Sequence, residues 1–260
     1  MTPFKPPFAI FTVLAVIFVL VFGIPCSLAG EPAISSPAII LAQADAAEDT
    51  DYEDEYGDAE EGLSDPLYYW NYTWYVFNDR VYLWLVEPTA KGYSAVMPEQ
   101  TRGCVRNFFD NVMMPVRFVN CLLQAKGRAA GAELTAFAVN TTVGIVGFRN
   151  AAGDMLRYEP QCEDLGQTFG TWGAEHGIYL VWPFLGPSSL RDTLGIVGDS
   201  FITPTNCLPI DWNVGLRTYD VVNDTTFRLG EYEDVKQAAI DPYSSLRDIY
   251  VQYRDRQVAE

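Results

Sequence analysis

The sequence predicts a mainly α, multi-helix single domain with a glycine-rich irregular segment, and three observations carry that expectation. Helix-length stretches open on Pro66, Pro98, Pro115 and Pro242, a residue whose fixed φ and missing N–H suit the first helical turn. Ten of the chain's 20 glycines fall between Gly144 and Gly198, where short helices mixed with turns are expected. Finally, 49% of the 260 residues are hydrophobic and 14% aromatic, which fills a core and leaves aromatics over.

The chain begins outside that domain. Residues 8–24, FAIFTVLAVIFVLVFGI, are uncharged, almost wholly apolar and preceded by Lys5, which marks residues 1–29 as a signal peptide or short anchor. Small-x-small patterns allow cleavage after Ala29 or Ala44. Cys26 is a third possibility as a lipidation site, though Pro25 fits that signal poorly. Residues 30–62 read as an acidic disordered tether, because positions 45–61 hold ten Asp or Glu and no Lys or Arg. Their spacing does not match an EF-hand calcium loop. Of the net charge of −17, this run carries −10 and leaves −7 elsewhere, a balance that excludes nucleic acid as a partner.

The first helix opens at Asp65-Pro66, an N-cap acid before a Pro, and is expected to close before Glu87-Pro88. Nine aromatics stand between Tyr68 and Trp84 and go almost all the way round it, leaving Asn71, Thr73, Asn78, Asp79 and Arg80 as the polar patch. Such a helix must be covered on most sides. Tyr and Trp favour the headgroup level of a bilayer, so Tyr69, Trp70, Trp74, Tyr82 and Trp84 are read as membrane-interface residues; burial in a protein core is the alternative.

Further helices are expected from Pro98 through Phe109, from Pro115 to Gln124 and from Gly127 to about Thr142, the last with Leu134, Phe137, Ala138 and Thr141 on one face. Small residues in AAGAELTAFAVNTTVG allow close packing of that helix. Extended chain is expected within Ile178–Leu185. A closing amphipathic helix runs from Pro242 to about Val258 with Leu246, Ile249, Tyr250 and Tyr253 on one face. No stretch after residue 24 reaches 18 apolar residues, so no simple transmembrane helix is expected there.

Catalytic chemistry lacks its parts. His176 is the single His, and HExxH, GxSxG around Ser188 and Ser189, a Walker A lysine and GxGxxG are all missing. The chain is therefore read as no enzyme, with no cofactor and no metal. Glu163, Asp164 and Asp192 could support acid–base work, but a carboxylate beside Arg191 more often makes a structural pair. Cys104, Cys121, Cys162 and Cys207 allow three complete pairings or buried thiols, and no C-x-x-C exists for zinc.

Several runs taken together resemble the VacJ/MlaA family of outer-membrane phospholipid-transport proteins. They are Asp65-Pro66-Leu67, Phe77-Asn78-Asp79, Glu87-Pro88 with Ala90-Lys91-Gly92-Tyr93, VRNFFDN at 105–111, PVRFVNCLLQ at 115–124, Asn140 to Gly147, EDLGQTFGTWG at 163–173, LGPSSLRD at 185–192 and Asp241-Pro242-Tyr243. The resemblance covers residues 63–258. It implies a ring-like domain embedded in one leaflet, on the periplasmic face of the bacterial outer membrane. It implies passive conduction of phospholipid from the outer leaflet to a periplasmic lipid carrier, maintaining lipid asymmetry, with an outer-membrane porin as partner. Leu165 stands where the family usually has Phe, and Ile202 to Ala239, where channel-lining residues are expected, matches least. Arg217, which follows the mixed-polarity segment from Trp212 to Leu216, is the cation expected near a passing phosphate; an ordinary surface Arg is the alternative. A non-transporting adaptor that holds a porin, or an envelope phospholipase, are the rival functions.

Overall fold

A computed structural model describes residues 65–158, 160 and 163–259. The export segment, Cys26, the acidic tether and Cys162 lie outside the described residues. The chain folds mainly as helices: α1 Tyr68–Val81, a π turn Tyr82–Val86, α2 Glu87–Val96, α3 Glu99–Val112, α4 Met114–Leu123, α5 Gly127–Thr142, α6 Ala151–Leu156 and α7 Leu165–Thr171. A hairpin of β1 Tyr179–Trp182 and β2 Gly186–Ser189 follows. Then come α8 Leu190–Ser200, a 3₁₀ turn Pro204–Cys207, α9 Ile210–Thr225, α10 Glu231–Ala238 and α11 Pro242–Ala259.

Pro88 does not end the first helix. The chain passes through the π turn, in which Glu87 N–H reaches Tyr82 O, and continues to Val96. Pro88 lacks an N–H and its ring crowds the preceding turn; the wider i→i+5 turn relieves that conflict without breaking the rod. The expected extended piece narrows to β1, paired antiparallel with β2 from Tyr179 opposite Ser189 to Trp182 opposite Gly186. The expected α5 and α11 appear with their N-termini at Gly127 and Pro242.

Packing closes a circuit. From α1 the path runs through the π turn to α2, across to α9, on to α3, α4, α7 and α8, then through the hairpin back to α1. This ring-like order needs few apolar residues at its centre, and the apolar cluster is correspondingly small: Tyr179, Val181 and Tyr243, backed by Trp74, Tyr75 and Tyr250.

What holds the ring is mostly polar. Among the described residues, buried polar and charged side chains are at least as frequent as buried apolar ones, the reverse of an ordinary soluble domain. Asn71, fully buried, donates to Tyr179 O at 2.9 Å and accepts from Val181 N–H at 2.8 Å. Two turns on, Asn78 donates to Trp182 O at 2.8 Å and accepts from Phe184 N–H at 2.7 Å. The i, i+7 spacing of these two amides lets one face of α1 satisfy the edge of β1. Asp79 accepts from Tyr232 Oη at 2.8 Å and Lys236 Nζ at 2.6 Å, which latches α10 to α1.

A second set joins α4, α7 and α8. Asn120, fully buried, donates to Asp199 at 2.8 Å and accepts from Thr168 Oγ1 at 3.0 Å, while Asp199 also accepts Leu165 N–H at 2.9 Å. Glu163 accepts from Gln124 and Lys126, each at 2.7 Å. The third set centres on Arg254. All five of its N–H groups are used, on Asp192 at 2.9 and 3.0 Å, Asp164 at 2.7 and 2.9 Å, and Gln257 at 2.8 Å. Asp192 further accepts from Arg191 at 2.9 Å and from Tyr250 Oη. The carboxylates at 163, 164 and 192 are thus framework.

Candidate functional site

The aromatic helix is built inside out. The buried residues of α1 are Asn71 and Asp79, while Tyr69 is 87% exposed and Trp70 also faces outward. On the following π turn Trp84 is 73% exposed, with the Arg80 guanidinium 5.3 Å from its ring centre. The other two aromatics of the expected interface set turn toward protein. Trp74 is half-buried, edge-on to Trp70 and Phe77 and packed on the Tyr179–Tyr243 cluster. Tyr82 lies 4.7 Å from Tyr232, and burial, helped by Glu233 and Glu87, pushes its phenol up to about 12.

The exposed apolar surface extends well beyond α1. Phe184 at the hairpin tip is 76% exposed and Phe201 after α8 is 85% exposed. Leu194, Ile196 and Val197 on α8, and Ile210, Val214 and Val221 on α9, are exposed as well. In water so many large exposed apolar side chains are costly, and they suit contact with an apolar phase.

Against that apolar exterior stands one charged wall, made by α3 and α9. Arg102, Arg106 and Asp110 recur every four residues along α3. On α9, Asn213, Arg217, Asp220 and Asp224 share a second stripe, with Arg228 one turn further on. The stripes meet where Arg106 Nη2 donates to Asp224 at 2.5 Å, and Arg228 reaches the same carboxylate at 3.3 Å. Arg106 and Arg102 lie 4.6 and 5.1 Å from the Phe227 ring centre. Behind the wall, Asn223 is fully buried and donates to Arg102 O at 3.0 Å, and Tyr93 and Tyr219 share a 2.9 Å hydroxyl contact.

The carboxylates of this wall are not balanced. Burial, then Asp110 and Asp224, push Asp220 up to about 6, and only Arg106 opposes them. Asp110, an exposed residue that also lines a small cavity between α3, α4 and α5, is raised by burial against the pull of Arg117 and Arg106. A carboxyl raised in the folded state binds its proton before the unfolded chain does, so its ionisation opposes folding from the unfolded value near 4 up past 6. Stability should therefore fall as pH rises through about 6, and Asp220→Asn should flatten that limb and gain about 1 kcal/mol at pH 7.5, after allowance for partial exposure. Thermal midpoints of the two proteins between pH 4.5 and 7.5 check this; parallel curves count against it.

Arg217 sits exposed on the α9 stripe, one turn from Asp220, and donates to Asn206 at 2.9 Å. Arg106, Asp110, Asp220, Asp224 and Arg228 escaped the sequence reading, yet their i, i+4 and i, i+3, i+7 spacings were visible in it. His176 pairs with Asp255 at 2.7 Å, away from that wall. Cys104 and Cys121 are buried, with the Cys121 thiol pushed up to about 11 by burial, and Cys207 is exposed. No group of three or more His, Cys, Asp or Glu that could hold a metal occurs among the described residues. No described helix is long and apolar enough to cross a membrane. The arrangement offers an apolar outside and a polar track, a geometry suited to passing an amphiphile.

Comparison with known proteins agrees. Residues 63–257 match the model of a family described as MlaA lipoprotein. The chain is 32% identical over 204 residues to the intermembrane phospholipid transport system lipoprotein MlaA of Escherichia coli (strain K12), covering 76% of this chain and 80% of that one. The protein of the same name from Haemophilus influenzae is 28% identical over 194 residues, with 73% and 77% covered. A solved structure from work on the structural basis for maintenance of bacterial outer membrane lipid asymmetry superposes with a TM-score of 0.66 at 26% identity, over 75% of this chain and 99% of that chain. The chain therefore belongs to the MlaA lipoprotein family.

Proposed function

We propose that this protein conducts phospholipid passively from the outer leaflet of the bacterial outer membrane to a periplasmic carrier, and so maintains lipid asymmetry. The observation that carries this is the inside-out α1, polar toward the ring and aromatic toward its surroundings, beside the charged α3–α9 wall. The names of its relatives, as components of intermembrane phospholipid transport, support the same reading.

Burying lipid chain in an apolar phase is worth about 0.8 kcal/mol per CH₂, so a two-chain phospholipid resists release into water by on the order of 20 kcal/mol or more. A path that keeps the tails in apolar surroundings while the headgroup follows a polar wall removes most of that barrier. Arg217, Arg106 and Arg228 supply cations along such a path, and Tyr69, Trp70 and Trp84 fix the ring at the interface. The chain has no recognisable nucleotide motif, so direction comes from partners or from a lipid gradient. Residues 30–62 serve as the tether between the export or lipid anchor and the domain, and an outer-membrane porin is the companion that opens access from the outer leaflet.

The test is leaflet-resolved tracking of labelled phospholipid in cells lacking this protein. Surface phospholipid should rise and return to normal when the intact gene is restored. Normal surface levels in the deleted strain count against transport and favour an adaptor that only holds a porin, whereas release of fatty acid or lysolipid by the purified protein favours a phospholipase.

A further inference from the structure

Helix α10, Glu231–Ala238, lies outside the circuit of the ring and buries none of its residues. Its backbone packs chiefly against the following α11, so side chains carry its attachment to the ring. The chain enters α10 from Gly230 at φ +95°, where an added Cβ would meet nothing within 4 Å, and leaves through extended Ala239 and fully exposed Ile240. A short helix between two such joints swings as a unit once its side-chain contacts let go.

Two groups of contacts hold it. The first is the latch on α1, where Tyr232 and Lys236 meet Asp79. The second reaches the π turn and the start of α2: Tyr232 packs on Tyr82, and the Glu233 carboxyl meets the carboxyl of Glu87. Glu87 accepts from the exposed Lys91, whereas both oxygens of Glu233 are buried and neither accepts a hydrogen bond among the described residues. A buried carboxylate without a donor is costly, and two ionised carboxylates in hydrogen-bond contact repel. One proton resolves both conflicts, because a protonated Glu233 donates to Glu87. Burial raises the Glu233 carboxyl and Glu87 adds to it, against Lys91 and the residue's own N–H, while Lys91 and then Glu233 lower Glu87. The Tyr82 phenol, pushed up to about 12, stays neutral; Glu231 acts on it from the same helix, and Lys236 is engaged by Asp79.

We propose that α10 is a strap fastened by one proton shared between Glu87 and Glu233. With the proton in place the strap splints the joint at Tyr82–Val86, where the helical rod changes its hydrogen-bond pattern ahead of Pro88. When the proton leaves, two carboxylates face each other beside a single exposed lysine, α10 loosens and the joint gains freedom. A carboxyl raised in the fastened state stabilises that state fully below its ordinary value of about 4.3, and the contribution is lost as pH rises through the raised value. The lowered Glu87 makes its own change below about 4.3, so between pH 5 and 7.5 Glu233 sets the slope of this contact. The device does not depend on what the ring conducts.

The experiment is hydrogen exchange of the full-length protein in detergent, read by mass spectrometry between pH 5 and 7.5 and corrected for the intrinsic pH dependence of exchange. Protection of the α10 and Tyr82–Val86 amides should fall by roughly tenfold across that range, more steeply than protection of α3 and α9, where Asp220 acts. Glu233→Gln keeps a donor toward Glu87 and cannot ionise, so its α10 protection should stay level while α3 and α9 behave as in the native protein. Glu87→Gln leaves Glu233 titratable but hands it an N–H donor, and should remove most of the fall. A wild-type α10 profile that is level, as for an ionised Glu233 bridged by water, or parallel to that of α3 and α9, overturns the proposal. So does a Glu87→Gln profile as steep as the native one, since burial alone would then set the titration. Because the wild-type profile carries its own reference helices, misfolding of either variant leaves the test intact.

Discussion

Arg254→Ala is expected to destabilise the domain by about 3–5 kcal/mol, the cost of breaking a buried ion network by removing one partner. Arg254 is buried, and its guanidinium holds Asp164 on the cap of α7 and Asp192 in the first turn of α8. Its removal strands Asp192, which is buried and keeps only Arg191 and Tyr250. For a domain near 200 residues, a loss of this size lowers the thermal midpoint by roughly 10 °C. The network also sets acid sensitivity. Burial alone would raise the Asp192 carboxyl, but Arg254, Arg191 and Tyr250 outweigh it and hold it far below the usual carboxylate range. A depressed carboxylate contributes stability above its unfolded value near 3.9 and loses it as pH falls toward its folded value. Arg254→Ala should therefore show a flatter acid limb as well as a lower midpoint. A midpoint within 2 °C of the native protein in detergent would show that the network is dispensable.

Gly195→Ala is expected to cost about 3 kcal/mol, although alanine is the better helix former. A Cβ at 195 would sit 2.4 Å from the Gly166 nitrogen and 2.8 Å from its Cα, so α7 and α8 would have to separate. Their separation would in turn stretch Arg254, since a Cβ at 166 already meets Asp192 Oδ1 at 2.5 Å and Arg254 Nη2 at 2.8 Å. Gly131→Ala is the matched control: it lies on α5 with nothing within 4 Å of its added Cβ and should gain about 0.5 kcal/mol. Equal midpoints for the two alanine variants would contradict the close crossing.

Much of the molecule was legible because it is written in local signals. The helices opened by Pro98, Pro115 and Pro242 and the glycine-rich stretch from Gly144 to Gly198 follow from residue-level preferences, whereas Asp65 does not cap the first helix, which starts at Tyr68, and instead accepts from the buried Asn71 amide at 2.7 Å. Pro88 misled for a physical reason. A Pro normally stops a helix, and only the accommodation of its ring by a π turn at Tyr82–Val86 carries the rod through. The α9 helix, Ile210–Thr225, was not expected from the sequence, because its turns mix three kinds of residue, packed, charged and apolar-exposed, which blurs a single stripe.

The sequence by itself determined a helical, aromatic-rich domain without the parts of a familiar enzyme, and it located the aromatic helix that must be covered on most sides. Only the tertiary structure decided which side of that helix turns outward. Asn71, Asn78 and Asp79 turn inward because β1 and α10 present backbone and side-chain groups that must be hydrogen-bonded, and this fixes the rotation of α1 with Tyr69 and Trp70 outward. The charged wall has the same origin: Arg106 and Asp224 are 118 positions apart, and no local pattern pairs two residues so distant until the circuit of helices closes.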